Sequence, residues 1–154
     1  VVINSNAFNN LKLIEDIAKY FGNQSIVGSI DVKKSFFGGQ KVYSHHGKKK
    51  QNVDIVQWAK QLENTGVGEL LITSVDREGS WDGYDLDLIK SITQNVQVPV
   101  IANGGCGTVE HIGEVIKKAN ASACAVGSMV VYQKKEMGVL VNFPDRKILE
   151  EVLR

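Results

Sequence analysis

Apolar residues fall in short continuous runs, and these alternate with longer stretches in which they recur every three or four positions. The runs begin near residues 1, 25, 69, 98 and 121 and read as strands. Residues 11–21 place Leu11, Leu13, Ile14, Ile17, Ala18 and Phe21 at helical spacing and stop at Gly22. Residues 52–65 repeat the pattern with Val53, Val56, Trp58, Ala59 and Leu62 and stop at Gly66, and residues 86–93 form a third such segment behind Asp85, a cap-forming residue. The clearest unit is 98–128: an apolar run to Ala102, a break at Asn103-Gly104-Gly105-Cys106-Gly107, a helical stretch, and a second apolar run closing on Gly127-Ser128. Strict alternation of this kind predicts an α/β protein with a parallel sheet, either open and doubly wound or part of a barrel.

Two segments break the rhythm. Residues 32–47 predict a small hairpin turning at Gly38-Gly39, an insertion above the sheet. Residues 74–85 form a long polar loop, and loops of that length in compact domains usually serve function. Beyond Ser128 the pattern weakens: 139–143 predict a short strand or a packed extended segment, and Pro144-Asp145 open a last helix with Ile148, Leu149, Val152 and Leu153 on one side.

A complete (β/α)8 barrel needs about 250 residues, so the 154 present would cover only its C-terminal portion. Val1-Val2-Ile3-Asn4 reads as the end of a buried strand without a lead-in, which marks the sequence as a fragment. Five parallel strands cut from a barrel are expected to leave two long unpaired edges and to seek a partner, a missing N-terminal half or a second copy. No linker or low-complexity segment interrupts the chain, so residues 1–154 are expected to form one domain.

Composition narrows the function classes. With 43% hydrophobic and 23% charged residues and a formal net charge of +1, the chain gives no bulk electrostatic reason to bind nucleic acid or an anionic membrane. Lys48-Lys49-Lys50 reads as a solvated turn. No apolar stretch approaches a membrane span and no signal-peptide layout opens the chain, so a cytoplasmic setting is expected. Cys106 and Cys124 lack metal spacing and read as reduced thiols, Cys106 as one exposed in a loop. His45, His46 and His111 read as surface or capping residues, and neither a metal nor a cofactor is expected.

Position singles out a few groups for chemistry. Asp31 ends a β-branched run, where a carboxylate points toward the mouth of a parallel sheet; capping the next turn is an equally weighted reading. Thr73 and Ser74 follow their strand directly, so both hydroxyls are expected at the same mouth. Gly104, Gly105, Gly127 and Ser128 pair two turns across one βαβ unit and form a candidate anion cradle. Asp76, Glu78, Asp82 and Asp85 cluster in the long loop, where Trp81 could cover a ligand or pack beneath.

These residues resemble a known family. Ile30-Asp31-Val32-Lys33, Ser44 to Lys49, Thr73-Ser74-Val75-Asp76-Arg77-Glu78-Gly79 with Gly83-Tyr84-Asp85, Asn103 to Gly107, and Gly127-Ser128 are similar to the cyclase subunit of imidazole glycerol phosphate synthase. The likeness runs from Val1 to about Val131 and covers only the family's portion from the fourth strand onward. It implies about strands 4 to 8 of a TIM barrel. The barrel would take ammonia from a glutaminase partner and add it to a bisphosphorylated substrate, giving imidazole glycerol phosphate and an aminoimidazole ribotide in histidine biosynthesis. By the same resemblance Asp31 is a general acid/base, and Thr73, with Ser74, Glu78 and Gly79 beside it, contacts substrate. Gly104, Gly105, Gly127 and Ser128 hold one phosphate, Asn4 and Ser5 the other, and Glu69 lies at the ammonia entrance on the partner-facing side. Glu78 replaces the usual aspartate, Asn103 the usual serine and Cys106 a small residue, and the tail from Tyr132 looks more like paralogues that supply ammonia for amidating a nucleotide-linked acetamido sugar. A third expectation is a phosphate-binding half barrel without turnover.

Overall fold

The computed structural model describes residues 1–35, 38–45, 47–132 and 138–154. Among these residues seven strands form one sheet: β1 (Val2–Ile3), β2 (Val27–Lys34), β3 (Gln40–Ser44), β4 (Lys49–Lys50), β5 (Glu69–Ser74), β6 (Val100–Asn103) and β7 (Ala123–Cys124). The spatial order is β4-β3-β2-β5-β6-β7, and the neighbours β2, β5, β6 and β7 run parallel. β5 takes one edge of β2, with Val27 opposite Glu69 at one end of the ladder and Val32 opposite Ser74 at the other. The other edge is divided: β1 lies parallel to its first residues and β3 antiparallel to its last.

The helices α1 (Leu11–Phe21), α2 (Ile55–Thr65), α3 (Leu86–Thr93) and α4 (Val109–Ala119) lie between the parallel strands in the chain, and the single turn α5 (Ser128–Val131) and α6 (Arg146–Leu153) follow β7. Their starts are chemically marked. Asn10, Asp54, Asp85 and Asp145 each accept a hydrogen bond from a first-turn N–H, satisfying donors that a helix leaves unpaired. The cap at Asp54 explains why α2 begins at Ile55 and not at 52.

Burial alternates residue by residue along β5 and β6, the signature of a sheet packed on one face. Ile30, Val32, Leu70, Ile72 and Ala102 are buried against Ile14, Trp58, Leu62, Ile89, Ile92 and Val115 of the helices. On the other face Asp31, Leu71, Thr73, Ile101 and Asn103 are only half-buried, because the barrel they would line is not closed. The fold is thus α/β, a partial TIM barrel with its lumen open.

Several expectations need correction. β2 does not end at Asp31; it continues to Lys34 because the hairpin supplies β3 as an antiparallel partner. The hairpin turns at Gly38 and Gly39 as expected, both at positive φ, while Phe36, Phe37 and His46 lie outside the described residues. The outer strands are not long bare edges: β4 and β7 have two residues each, and β1 covers two residues of β2. Lys49 and Lys50 form β4, not a turn. Residues 139–142 do run extended along Val130–Tyr132, through Leu140 N–H to Val131 O and Asn142 N–H to Val130 O, but Val139, Leu140 and Val141 stay exposed. α6 docks on α4 at Gly113, where an added Cβ would meet Val152 O at 2.7 Å.

Candidate functional site

Parallel register sets three side chains abreast. Asp31 pairs with Thr73 and Thr73 with Asn103, so all three stand on the open face in one row at the carboxyl end of the sheet. Asn103 Nδ2 donates to Thr73 Oγ1 at 3.1 Å, which fixes both groups and keeps the threonine proton for another acceptor. Glu69 pairs with Val27 on the same face at the opposite end. Thr73 lies four positions beyond Glu69, about 13 Å along the strand. Ser74 departs from expectation: it pairs with Val32, lies on the helix-facing side and is buried, since adjacent strand residues point to opposite faces.

The glycine turns meet next to this row. Glu78, Gly79, Asn103, Gly104, Gly105, Cys106, Ala125, Gly127 and Ser128 line one small cleft. Its glycines differ in purpose. A Cβ on Gly104 would lie 2.6 Å from Ser74 O, and one on Gly105 2.2 Å from Gly83 O, so both permit close docking of the 74–85 loop. Nothing lies within 4 Å of a Cβ on Gly127, so that glycine leaves open space at the end of β7. A Cβ on Gly79 would lie 3.9 Å from Ser128 Oγ, and one on Gly104 would lie 3.4 Å from Glu78 Oε2. The cradle brings together Gly104, Gly105, Gly127 and Ser128, with a carboxylate at its rim.

The loop that closes the cleft is held by charge and backbone contacts. Arg77 Nη1 donates to Gly83 O at 2.9 Å, Gly83 N–H donates to Gly105 O at 2.8 Å, and Arg77 Nε lies 3.9 Å from Asp85 Oδ2. Asp85 caps α3 and also accepts from Gln40 Nε2 at 2.7 Å, while Asp76 accepts from Lys34 N–H at 2.6 Å. The two carboxylates bind the hairpin to the loop. The backbone of Trp81, at φ 68°, packs on Gly107, whose Cβ would meet Trp81 O at 2.6 Å.

Asn4 and Ser5 sit at the mouth beside β2, with their polar groups engaged. His45 N–H donates to Ser5 Oγ at 2.7 Å, Ser5 donates to Asn4 Oδ1, and Asn4 Nδ2 donates to Ser29 Oγ, both at 3.3 Å. Beneath the cradle Cys106 is buried, contrary to the exposed thiol expected, because the Gly83–Gly105 contact folds its loop inward. Burial pushes the Cys106 and Cys124 thiols up, partly offset by the nearby Tyr84 hydroxyl, and burial likewise raises Tyr84. Tyr84 donates to Ala125 O at 2.9 Å, tying the loop to β7. His111 caps the turn, accepting from Gly107 N–H at 3.2 Å. No cluster of metal ligands occurs among the described residues. Asn103 was not among the expected site residues; its place directly before the glycine turn was the signal available.

A model of the family described as histidine biosynthesis proteins matches residues 1–136. The chain belongs to this family. Within the family it is 43% identical over 145 residues to a Pseudomonas aeruginosa protein provisionally named imidazole glycerol phosphate synthase subunit hisF2, covering 94% of this chain and 58% of that protein. It is 36% identical to imidazole glycerol phosphate synthase subunit HisF of Methanococcus vannielii, over 89% of this chain and 58% of that one. The HisF subunit of Clostridium botulinum is 37% identical, over 93% and 57%. This member of the histidine biosynthesis family therefore spans well under two thirds of the length of these curated relatives. No helix among the described residues is long and apolar enough to cross a membrane.

Proposed function

We propose that the chain is the C-terminal, single-domain part of a cyclase-type synthase subunit in a glutamine amidotransferase, forming imidazole glycerol phosphate and an aminoimidazole ribotide. The observation that carries this reading is the Asp31–Thr73–Asn103 row, placed between a glycine cradle and, on the same face, Glu69 at the far end. A substrate phosphate would rest against Gly105, Gly127 and Ser128. Ammonia from a glutaminase subunit would enter beside Glu69 and cross the roughly 13 Å of lumen to the row. Asp31 would move the proton in ring closure and cleavage, as a general acid/base must do from within hydrogen-bond reach. Thr73, its oxygen occupied by Asn103, would donate to the substrate.

Leu71 and Ile101 remain half-buried on the lumen face, so turnover in this reading requires the rest of the barrel wall. The test is ammonia-dependent turnover of the bisphosphorylated ribulosyl substrate by the complete gene product. Activity that falls by at least 10²-fold in Asp31→Asn with KM little changed is expected. No turnover with ammonia or with any glutaminase partner would overturn the reading and leave a phosphate-binding half barrel.

A further inference from the structure

Thr73 and Asn103 form a polar pair whose hydrogen-bonding sense is fixed. They are partners across β5 and β6 on the lumen face, and Asn103 Nδ2 donates to Thr73 Oγ1 at 3.1 Å. Among the described residues neither side chain makes a further hydrogen bond. The pair therefore offers two unlike groups. The threonine oxygen is engaged as an acceptor, so the group it offers the lumen is its proton. Asn103 has turned its NH2 toward β5, and because the amide carbonyl and NH2 diverge from one carbon, Oδ1 is directed away from Thr73 as an acceptor. Asn103 also lines the cleft with Gly104, Gly127 and Ser128, so the pair stands where the row meets the cradle. A serine here, usual in the cyclases that the chain resembles, would bond Thr73 and a ligand through a single oxygen. Asparagine places the two tasks on two atoms.

We infer that Asn103 is a specificity-determining residue which, with Thr73, selects a ligand bearing a primary carboxamide: Asn103 Oδ1 accepts from the carboxamide N–H, and the Thr73 hydroxyl donates to its carbonyl oxygen. The pair discriminates against close relatives of that group. A carboxylate sets an anionic oxygen against Oδ1, with Asp31 on the strand next to Thr73 adding like charge. A secondary amide holds its N–H and C=O on opposite sides of a trans bond, so it satisfies one member of the pair and leaves the other unbonded. The acetamido group of a sugar is an amide of that kind. A primary carboxamide carries an N–H on the same side as its oxygen and meets both. Adjacent strands, about 4.8 Å apart, bring the two side chains within reach of one such planar group. The place of the ligand in a reaction rests on the cyclase reading above; the donor and acceptor sense of the pair does not.

Three aminoimidazole ribotides, identical except for a carboxamide, an N-methyl carboxamide or a carboxylate, are the probes, titrated calorimetrically into the complete gene product. The parent should bind the carboxamide about tenfold or more tightly than either analogue. In Asn103→Leu, close in size and without polar atoms, the preference over the N-methyl carboxamide should shrink to about threefold or less. In Asn103→Asp the new carboxylate takes the Thr73 proton and leaves the ligand carbonyl without a donor, so carboxamide binding should weaken about tenfold or more. A ratio of affinities is read, so weaker folding or a damaged cradle, which touches all three ligands alike, does not imitate the effect. No binding of any of the three, equal binding of all three by the parent, or a preference unchanged in Asn103→Leu would overturn the inference. An Asn103-dependent preference for the carboxamide without ammonia-dependent turnover would keep it and remove the cyclase reading, and turnover without that preference would do the reverse.

Discussion

Replacing Gly105 by alanine tests whether the cradle glycines are required by loop docking. Gly105 has φ 104°, and an added Cβ would stand 2.2 Å from Gly83 O and 2.9 Å from Gly83 C. Carbon and carbonyl oxygen normally stay near 3.3 Å apart, so the Gly83 segment must retreat by roughly 1 Å. That movement pulls on two bonds at once, Gly83 N–H to Gly105 O at 2.8 Å and Arg77 Nη1 to Gly83 O at 2.9 Å. A non-glycine residue at positive φ costs about 1–2 kcal/mol and overpacking about 1–3 kcal/mol, so a loss of about 3–4 kcal/mol is expected. For a chain of this size that lowers the melting temperature by roughly 6–15 °C, read by circular dichroism or calorimetry. Gly127→Ala is the control: the space there is open, so its stability should stay within about 0.5 kcal/mol of the parent while phosphate binding in the cradle weakens. A Gly105→Ala protein melting within about 2 °C of the parent would refute the argument. So would equal destabilisation by the two substitutions.

Two further outcomes follow from the layer beneath the cradle. Tyr84→Phe removes the bond to Ala125 O from a buried position and should cost about 1 kcal/mol in urea denaturation, with the midpoint shifted and the slope unchanged. Cys106 and Cys124 are raised above their ordinary value of 9.0, chiefly by burial. The unfolded thiols therefore ionise first, and the stability these groups contribute is complete below about pH 9 and lost as pH rises beyond it. Urea titrations between pH 7.5 and 10.5 should show that decline, and Cys106→Ala should reduce its steepness. A flat profile would contradict burial of the thiols.

Local chemistry made much of this protein readable from its residues. Helical spacing ended by Gly22 and Gly66 located α1 and α2, and helical spacing behind the capping Asp85 located α3, because those signals act within one turn of backbone. Short apolar runs between such helices indicated a parallel sheet, and the Gly38-Gly39 turn indicated a hairpin. Tertiary structure decided the rest. Which residues stand abreast depends on strand register, a relation between segments 30 or more residues apart, so the Asp31–Thr73–Asn103 row and the exclusion of Ser74 from it were not legible locally. The extent of β2 depended on a partner strand supplied by the hairpin, and the burial of Cys106 on contact with Gly83. The pattern of side chains determined that this chain forms alternating strands and helices. Only long-range packing determined which of its polar groups meet, because hydrogen bonds and close backbone contacts form between segments that the sequence keeps far apart.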